Sequence, residues 1–505
     1  MADEPLVQPL DEANRALLSQ VHPADWPVPE GRGTYDLVVL GGGTAGLVSA
    51  AGAAGLGARV ALIERGLLGG DCLNTGCVPS KALLRSARAA GEARRAAALG
   101  VRLTGGVEVD FPAVMARMRQ RRAAISPNDS AARLRGLGVD VFLGTARFTG
   151  PRTVEVAGRT LRFRRAVVAT GGRPVAPPIP GLEEVRHLTS ETLFWLTERP
   201  ARLAIAGGGP IGCEMAQAFA RFGTAVTLIE TADRVLPRED PDASAVIARQ
   251  LARDGVRLET GAQFVRVERA GGGVRLQVAR GDTFSAIDAD AVLLAAGRAP
   301  NIESLDLDAA GVRWSRSGVE VDDRLRTSNP RVYAAGDVVS GAFRFTHAAD
   351  AMARIVIQNA LFYGRRPTSA LVVPWCTYTD PEVAHVGASP AAPGTASRLE
   401  TITVPLDEVD RAVVDDETEG FVRVHHERGR LRGCTIVAPH AGDLIGVAAY
   451  ALTRGGTLEQ FAATIHPYPT IGEAFRRAGD AYRRTRLTPG VRRWLNRYFA
   501  WTRRG

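Results

Sequence analysis

Two glycine runs constrain this chain more than anything else in it. Gly41-Gly42-Gly43-Thr44-Ala45-Gly46 follows a short apolar run at residues 35–40 and opens an Ala/Gly-rich stretch; the next apolar run, residues 59–63, ends at Glu64. The grammar recurs at residues 203–206, then Gly207-Gly208-Gly209-Pro210-Ile211-Gly212, a helical stretch through Phe222, and a run at 225–229 ending at Glu230. Each copy reads as strand, glycine turn, helix, strand, acid. The first glycine (Gly41, Gly207) makes the tight turn. The second (Gly43, Gly209) lets backbone approach a pyrophosphate, and the third (Gly46, Gly212) lets helix and strand pack closely. The helix N-terminus meets phosphate charge with its dipole, and Glu64 and Glu230 are placed for ribose hydroxyls. One copy could be a plain turn in an α/β domain. Two, each in the same context, point to two dinucleotide sites.

At 505 residues the chain is too long for one core, and about three domains follow from length. The net charge of +9 is dispersed, with no lysine-rich tail, so a nucleic-acid partner is not expected. Residues 37–58 are uncharged and long enough to span a bilayer, but their glycines break them into strand, turn and helix. The first residues show neither a basic nor an apolar signal region, and a cytoplasmic protein is expected. Five cysteines are an odd, sparse set, unlike a secreted disulfide scaffold.

Between the first dinucleotide unit and the next helix lies Gly69-Gly70-Asp71-Cys72-Leu73-Asn74-Thr75-Gly76-Cys77-Val78-Pro79-Ser80-Lys81. Two cysteines four residues apart can close a small ring when oxidised. A thiolate near a helix N-terminus and a lysine is stabilised as the anion, and such a pair can exchange with an external acceptor. Lys81 is the only lysine in a chain whose other basic residues are all arginine. A site that admits a compact ammonium but not a planar fork explains its retention.

This run resembles the active-site signature of the pyridine nucleotide–disulfide oxidoreductases, which include glutathione reductase, lipoamide dehydrogenase and mercuric reductase. Thr327-Ser328-Asn329-Pro330 through Ala335-Gly336-Asp337 is similar to the family's second flavin motif. Ala169-Thr170-Gly171-Gly172-Arg173-Pro174 and Ala296-Gly297-Arg298-Ala299-Pro300-Asn301 look like its linking motifs. The resemblance implies an α/β fold: two Rossmann-like, glutathione reductase-type domains and a C-terminal α+β dimerisation domain. Residues 1–33 form an extension, 34–182 and 305–368 the FAD-binding domain, 183–304 the NAD(P)-binding domain, 369–484 the dimerisation domain, and 485–505 a terminal basic helix. Gly41, Gly43, Gly46, Glu64, Lys81, Thr170, Gly171 and Asp337 would hold FAD. Gly207, Gly209, Gly212, Glu230 and Gly297 would hold NADH or NADPH. Glu230 disfavours a 2′-phosphate, which leans towards NADH; Arg234 and Arg238 follow soon after and suit a phosphate. Cys77 would lie against the flavin and Cys72 would face substrate, with Lys81 near the flavin and paired to Glu214. The chain would be a homodimer whose subunits complete each other's sites, and no metal cofactor is implied.

The family carries His-Pro-Thr-x-x-Glu near its C-terminus, where the histidine manages the proton of a substrate thiol. Here the run is Tyr468-Pro469-Thr470-Ile471-Gly472-Glu473. Tyrosine, with an ordinary pKa of about 10, is a poor base at neutral pH. Mercuric reductases resemble this chain in that tyrosine and in Arg238-Glu239-Asp240-Pro241. The sequence closes on Trp501-Thr502-Arg503-Arg504-Gly505, so neither the C-terminal cysteine pair nor the N-terminal metal-binding module of mercuric reductases is expected. His466, two residues before Tyr468, shares its face in an extended segment and keeps open reduction of a small organic disulfide or oxidation of dihydrolipoamide. Thr488 and Pro489 signal a last helix with Val491, Trp494, Leu495 and Tyr498 on one face beside Arg492, Arg493 and Arg497. The favoured reading packs that face onto the chain's own terminal domain; the other makes the protein a flavin-binding module recruited to a membrane surface or partner. Cys213, Cys376 and Cys434 read as core thiols, and His425-His426 as a solvated face.

Overall fold

The computed structural model describes residues 6–31, 33–341, 343–389 and 399–504. The chain forms two compact units. Met1–Thr231 and Gly255–Leu371 make the first; Ala232–Asp254 and Val372–Gly505 make the second.

The first unit is built on the repeated grammar. Strand β1 (Thr34–Leu40), helix α1 (Thr44–Gly55) and strand β2 (Val60–Glu64) form one turn of it, and helix α2 (Cys77–Arg95) follows. The two strands run parallel, with Leu37 opposite Val60 and Leu40 opposite Ile63. The same sheet takes in Val139–Leu143, Arg159–Val168 and Val332–Ala334 by parallel pairing, and an antiparallel hairpin joins it beyond Arg159–Val168. Leu37, Val38, Val39 and Leu40 are all fully buried. A parallel strand is covered on both faces, which is why this one reads as a continuous apolar run. Strand β3 (Arg202–Ala206), helix α3 (Pro210–Arg221) and strand β4 (Ala225–Glu230) repeat the pattern in a second parallel sheet with Arg257–Thr260, Ala291–Leu294 and His187–Leu188. A three-stranded antiparallel meander, Gln263–Ala270, Gly273–Arg280 and Thr283–Ala289, joins this part of the chain. Its first hairpin turns at Gly271 and Gly272, both with positive φ.

The N-terminal extension belongs to this unit. Helix Glu12–Val21 is capped by Asp11, whose carboxylate accepts from Asn14 N at 2.8 Å. It buries Leu17 and Val21 in the core of the first sheet. The fully buried Arg122 ties it down, donating to Asn14 Oδ1 at 2.6 Å and to Asn74 O at 2.7 Å.

The second unit centres on a five-stranded antiparallel sheet ordered Trp375–Thr377, Glu382–Gly387, Arg430–Ala438, Phe421–Glu427, Glu400–Pro405. Helices Ala441–Thr453 and α4 (Glu473–Thr485) pack over it, burying Ile445, Ala448, Phe475 and Ala478. Helix Pro241–Arg253 also belongs here. Arg423 clamps its start, reaching Asp240 at 2.6 Å and Asp242 at 2.7 Å.

Two expectations fail in this unit. His425 and His426 are not a solvated face; both are buried. A bulge between them breaks the strand's alternation, so neighbouring side chains both turn inward. His425 meets Thr401 Oγ1 at 3.0 Å, and His426 packs edge-on against Tyr482. The last helix, α5 (Pro489–Thr502), forms as predicted, with Thr488 accepting from Val491 N at 3.3 Å. Its apolar face is not covered by the chain's own domain among the described residues, and none of the helix residues is buried.

Candidate redox and dinucleotide site

The glycine turns adopt the geometry that pyrophosphate contact requires. Gly41 and Gly207 have φ of +107° and +109°, open to glycine alone without strain. A Cβ on Gly46 or Gly212 would lie 1.8 Å from the carbonyl oxygen of Gly41 or Gly207. The middle glycines behave oppositely. A Cβ on Gly43 would meet only Gly70, at 3.7 Å, and one on Gly209 would meet nothing within 4 Å. Both cap their helices with extended backbone and no side-chain hydrogen bond. The amides at the starts of α1 and α3 thus face open cradles that suit a diphosphate.

Each acid closes its turn in the same way. Glu64 Oε2 accepts from Gly42 N at 2.5 Å, and Glu230 Oε2 accepts from Gly208 N at 2.6 Å. Burial pushes the Glu64 carboxyl above the usual range. Asp337 follows strand Val332–Ala334, and burial raises its carboxyl as well. Arg298, whose role the sequence did not disclose, lies 3.6 Å from Asp337 and pairs with Asp71, the neighbour of Cys72. It also donates to Gly172 O at 2.9 Å. The linking motifs interlock: Thr170 Oγ1 donates to Asn301 O at 2.6 Å, and Asn301 Nδ2 returns to Thr170 O at 2.9 Å. Gly171 and Gly297 turn there with φ of +66° and +87°.

Cys72 and Cys77 stand as two free thiols joined by a hydrogen bond. Cys77 is the first residue of α2. The hydrogen bond from Cys72, one with Thr346 and the charge of Lys81 lower its pKa to about 6, against the opposing effect of burial. Cys72 moves the other way: its proton is held by the Cys77 sulfur, and burial adds to the rise. The pair is therefore one thiolate and one thiol at neutral pH. Thr346, whose Oγ1 lies 3.3 Å from Cys77 Sγ, was missed; the only signal was its place shortly after Asp337 at a helix start. Lys81 lies one helical turn after Cys77, and its Nζ donates to both oxygens of Glu214, at 3.1 and 2.9 Å.

The second unit holds the C-terminal residues apart in role. Tyr468 is 70% exposed, and its hydroxyl donates to Asp410 Oδ2 at 2.9 Å, which raises its pKa further. His466 stacks on Phe475, and its Nε2 has no hydrogen-bond partner among the described residues. Burial and the charge of Arg476 lower its pKa. Glu473 is buried and engaged by Arg476 and Arg477. Cys213 donates to Gly208 O at 3.2 Å and, like Cys434, is fully buried, so both are core thiols. Cys376 is half-buried beside Glu382.

Comparison with known proteins decides the family. The family model described as pyridine nucleotide-disulphide oxidoreductase matches residues 35–353, and that of its dimerisation domain matches residues 373–479. The chain belongs to the pyridine nucleotide-disulphide oxidoreductases. It is 36% identical to a mercuric reductase of Staphylococcus aureus over 454 residues, 88% of this chain and 82% of that protein. It is 34% identical to a dihydrolipoyl dehydrogenase of Thermus scotoductus over 456 residues, 89% and 97% of the two chains. Among solved structures it is similar to the HOCl-induced flavoprotein disulfide reductase RclA from Escherichia coli, with a TM-score of 0.79 and 29% identity over 88% of this chain and 99% of that one. As a member of this family the chain is an FAD-dependent oxidoreductase with NAD(P)H as co-substrate, and its second unit carries the dimerisation domain. Among the described residues no helix is long and apolar enough to cross a membrane.

Proposed function

We propose that this oxidoreductase reduces thiol-ligated Hg(II), or a soft metal ion like it, at Cys72 and Cys77. The observation that carries this reading is Tyr468, a phenol with a raised pKa where a disulfide reductase of the family places its histidine. A disulfide substrate leaves as a thiol and needs a proton from a nearby acid; a soft ion exchanges between thiolates, and the proton that Cys72 sheds serves one of those it leaves. The Cys77 thiolate is ready at neutral pH. Cys72 sheds its proton as its sulfur takes the metal, giving two soft ligands. When bound, FAD supplies the two-electron link between nicotinamide and dithiol. The balance closes: NADH, one proton and the complex Hg(SR)2 give NAD⁺, Hg(0) and two thiols, RSH.

Glu230 supports NADH over NADPH, since a carboxylate at the end of β4 accepts ribose hydroxyls and repels a 2′-phosphate. Arg234, the nearby basic candidate, donates to Pro237 O in its own turn at 3.1 Å. A ratio of kcat/KM favouring NADPH refutes the coenzyme assignment.

One feature supports a second substrate reading. His466 Nε2 has no partner among the described residues, and burial lowers the imidazole pKa, which favours the neutral form that can accept a thiol proton. That suits a small disulfide or dihydrolipoamide. Anaerobic assays separate the readings. Evolution of Hg(0) from thiol-ligated Hg(II), retained in His466→Ala, supports the first. Turnover of dihydrolipoamide or a disulfide that His466→Ala abolishes, with no Hg(0), establishes the second.

A further inference from the structure

Helix α5 divides its surface cleanly. Successive residues turn by about 100°, which places Trp501, Trp494, Tyr498, Val491, Leu495 and Phe499 on one arc of about 160°, with Thr502 as its one polar member. The opposite arc carries Arg492, Arg493 and Arg497, with Asn496 and Ala500 between them, and Arg503 and Arg504 follow directly after the helix. The arginines border the apolar arc on both sides. The helix contains no acidic residue, and none of these five arginines has an acidic partner among the described residues. Trp494 is 63% exposed and Trp501 71%.

We propose that α5 is an interfacial helix that docks the enzyme on an anionic phospholipid surface. The charge pattern selects that occupant. A second copy of this chain brings the same five arginines and a net charge of +9, so it offers no matching field. A nucleic acid would satisfy the arginines but leave four aromatic rings and Leu495 in water. An anionic bilayer meets both needs, with rings and aliphatic side chains below the headgroups and guanidinium groups among the phosphates. At 14 residues the helix is about 21 Å long. It lies in the interface rather than crossing it, in accord with the lack of a spanning helix among the described residues.

The test is sedimentation of the full-length, flavin-loaded protein with vesicles of equal parts phosphatidylglycerol and phosphatidylcholine, and with phosphatidylcholine alone. Binding to the first and not the second is expected, weakened by salt at about 0.5 M. Trp494→Ser with Trp501→Ser, and separately Arg492→Gln with Arg493→Gln and Arg497→Gln, should each weaken it about tenfold or more, with flavin content and flavin reduction by NADH unchanged. Failure of the full chain to bind phosphatidylglycerol vesicles overturns the proposal, as does equal binding to both lipids. So does undiminished binding after removal of residues 487–505. Dissociation of the dimer by the tryptophan variant, read by light scattering, would assign the face to a second copy instead. Tighter binding to duplex DNA or to RNA than to the vesicles would likewise overturn it.

Discussion

Lys81 and Glu214 meet 133 positions apart in the chain, with Nζ 2.9 Å from the nearer carboxylate oxygen. Glu214 is almost wholly buried and Lys81 partly so. The two bear on Cys77 with opposite signs: the ammonium favours the thiolate and the carboxylate opposes it. Lys81→Met should therefore move the Cys77 titration to higher pH, and Glu214→Gln should move it lower. The pH dependence of Cys77 alkylation in reduced protein, followed by mass spectrometry, reads both. Shifts in the same direction would refute the electrostatic account. Lys81→Met also strands a buried carboxylate, which should destabilise the protein by about 2 kcal/mol after allowing for the lysine's partial exposure.

The thiol pair supplies a sharper test. The hydrogen bond from Cys72 does the most to hold Cys77 near a pKa of about 6. Cys72→Ala removes the donor, and the Cys77 midpoint should climb towards the ordinary thiol value of about 8.5. Cys72→Ser keeps an O–H donor, so its midpoint should fall between wild type and the alanine variant. An unchanged midpoint in Cys72→Ala would show that Thr346 and Lys81 suffice.

The glycines separate folding from binding. Gly46→Ala and Gly212→Ala drive a methyl into a backbone carbonyl at 1.8 Å and should yield no soluble folded protein. Gly43→Ala and Gly209→Ala add a methyl to extended backbone facing an open cradle. Gly43→Ala should fold but lose flavin on gel filtration. Gly209→Ala should keep flavin and raise the Kd for NADH about tenfold, near the 1.4 kcal/mol of one misplaced phosphate contact. Thermal midpoints check the first claim, and flavin absorbance with coenzyme titration checks the second.

These contrasts also show what could be read from the chain beforehand. Turn geometry is local: Gly41, Gly43 and Gly46 are a few residues apart, and a fixed spacing maps to a fixed shape. Lys81 with Glu214 was legible for another reason, since both follow signature motifs of a resembling family. Arg298 and Thr346 were not. Each acts through partners more than 200 positions away, Asp71 and Cys77, and no local pattern encodes such contacts. His425 and His426 misled because one bulge reverses the facing of a strand residue, and a polar pair before a turn looks solvated whichever way it points. The exposed face of α5 reflects a third limit: amphipathicity announces that a helix has a partner without saying that the partner lies in the same chain.

Buried His425 gives the second unit an acid-sensitive point. Burial first, then the proximity of His385, lower its pKa to about 4; Asp240 opposes this, while Arg423 and His426 add to it. In the unfolded chain it titrates at the ordinary value of about 6.5. The folded state thus binds fewer protons between those two values. Stability is full above about pH 6.5 and falls as pH drops through that window. The difference amounts to about 3 kcal/mol by pH 4. His425→Gln retains a hydrogen-bonding group for Thr401 and cannot charge, so its denaturant midpoint should be flatter across the same range. Measuring urea unfolding of both proteins from pH 7 to 4, with the second unit followed by hydrogen exchange, checks this. A parallel fall in the two curves would place the acid sensitivity at His385 or His426, whose pKa values burial also lowers.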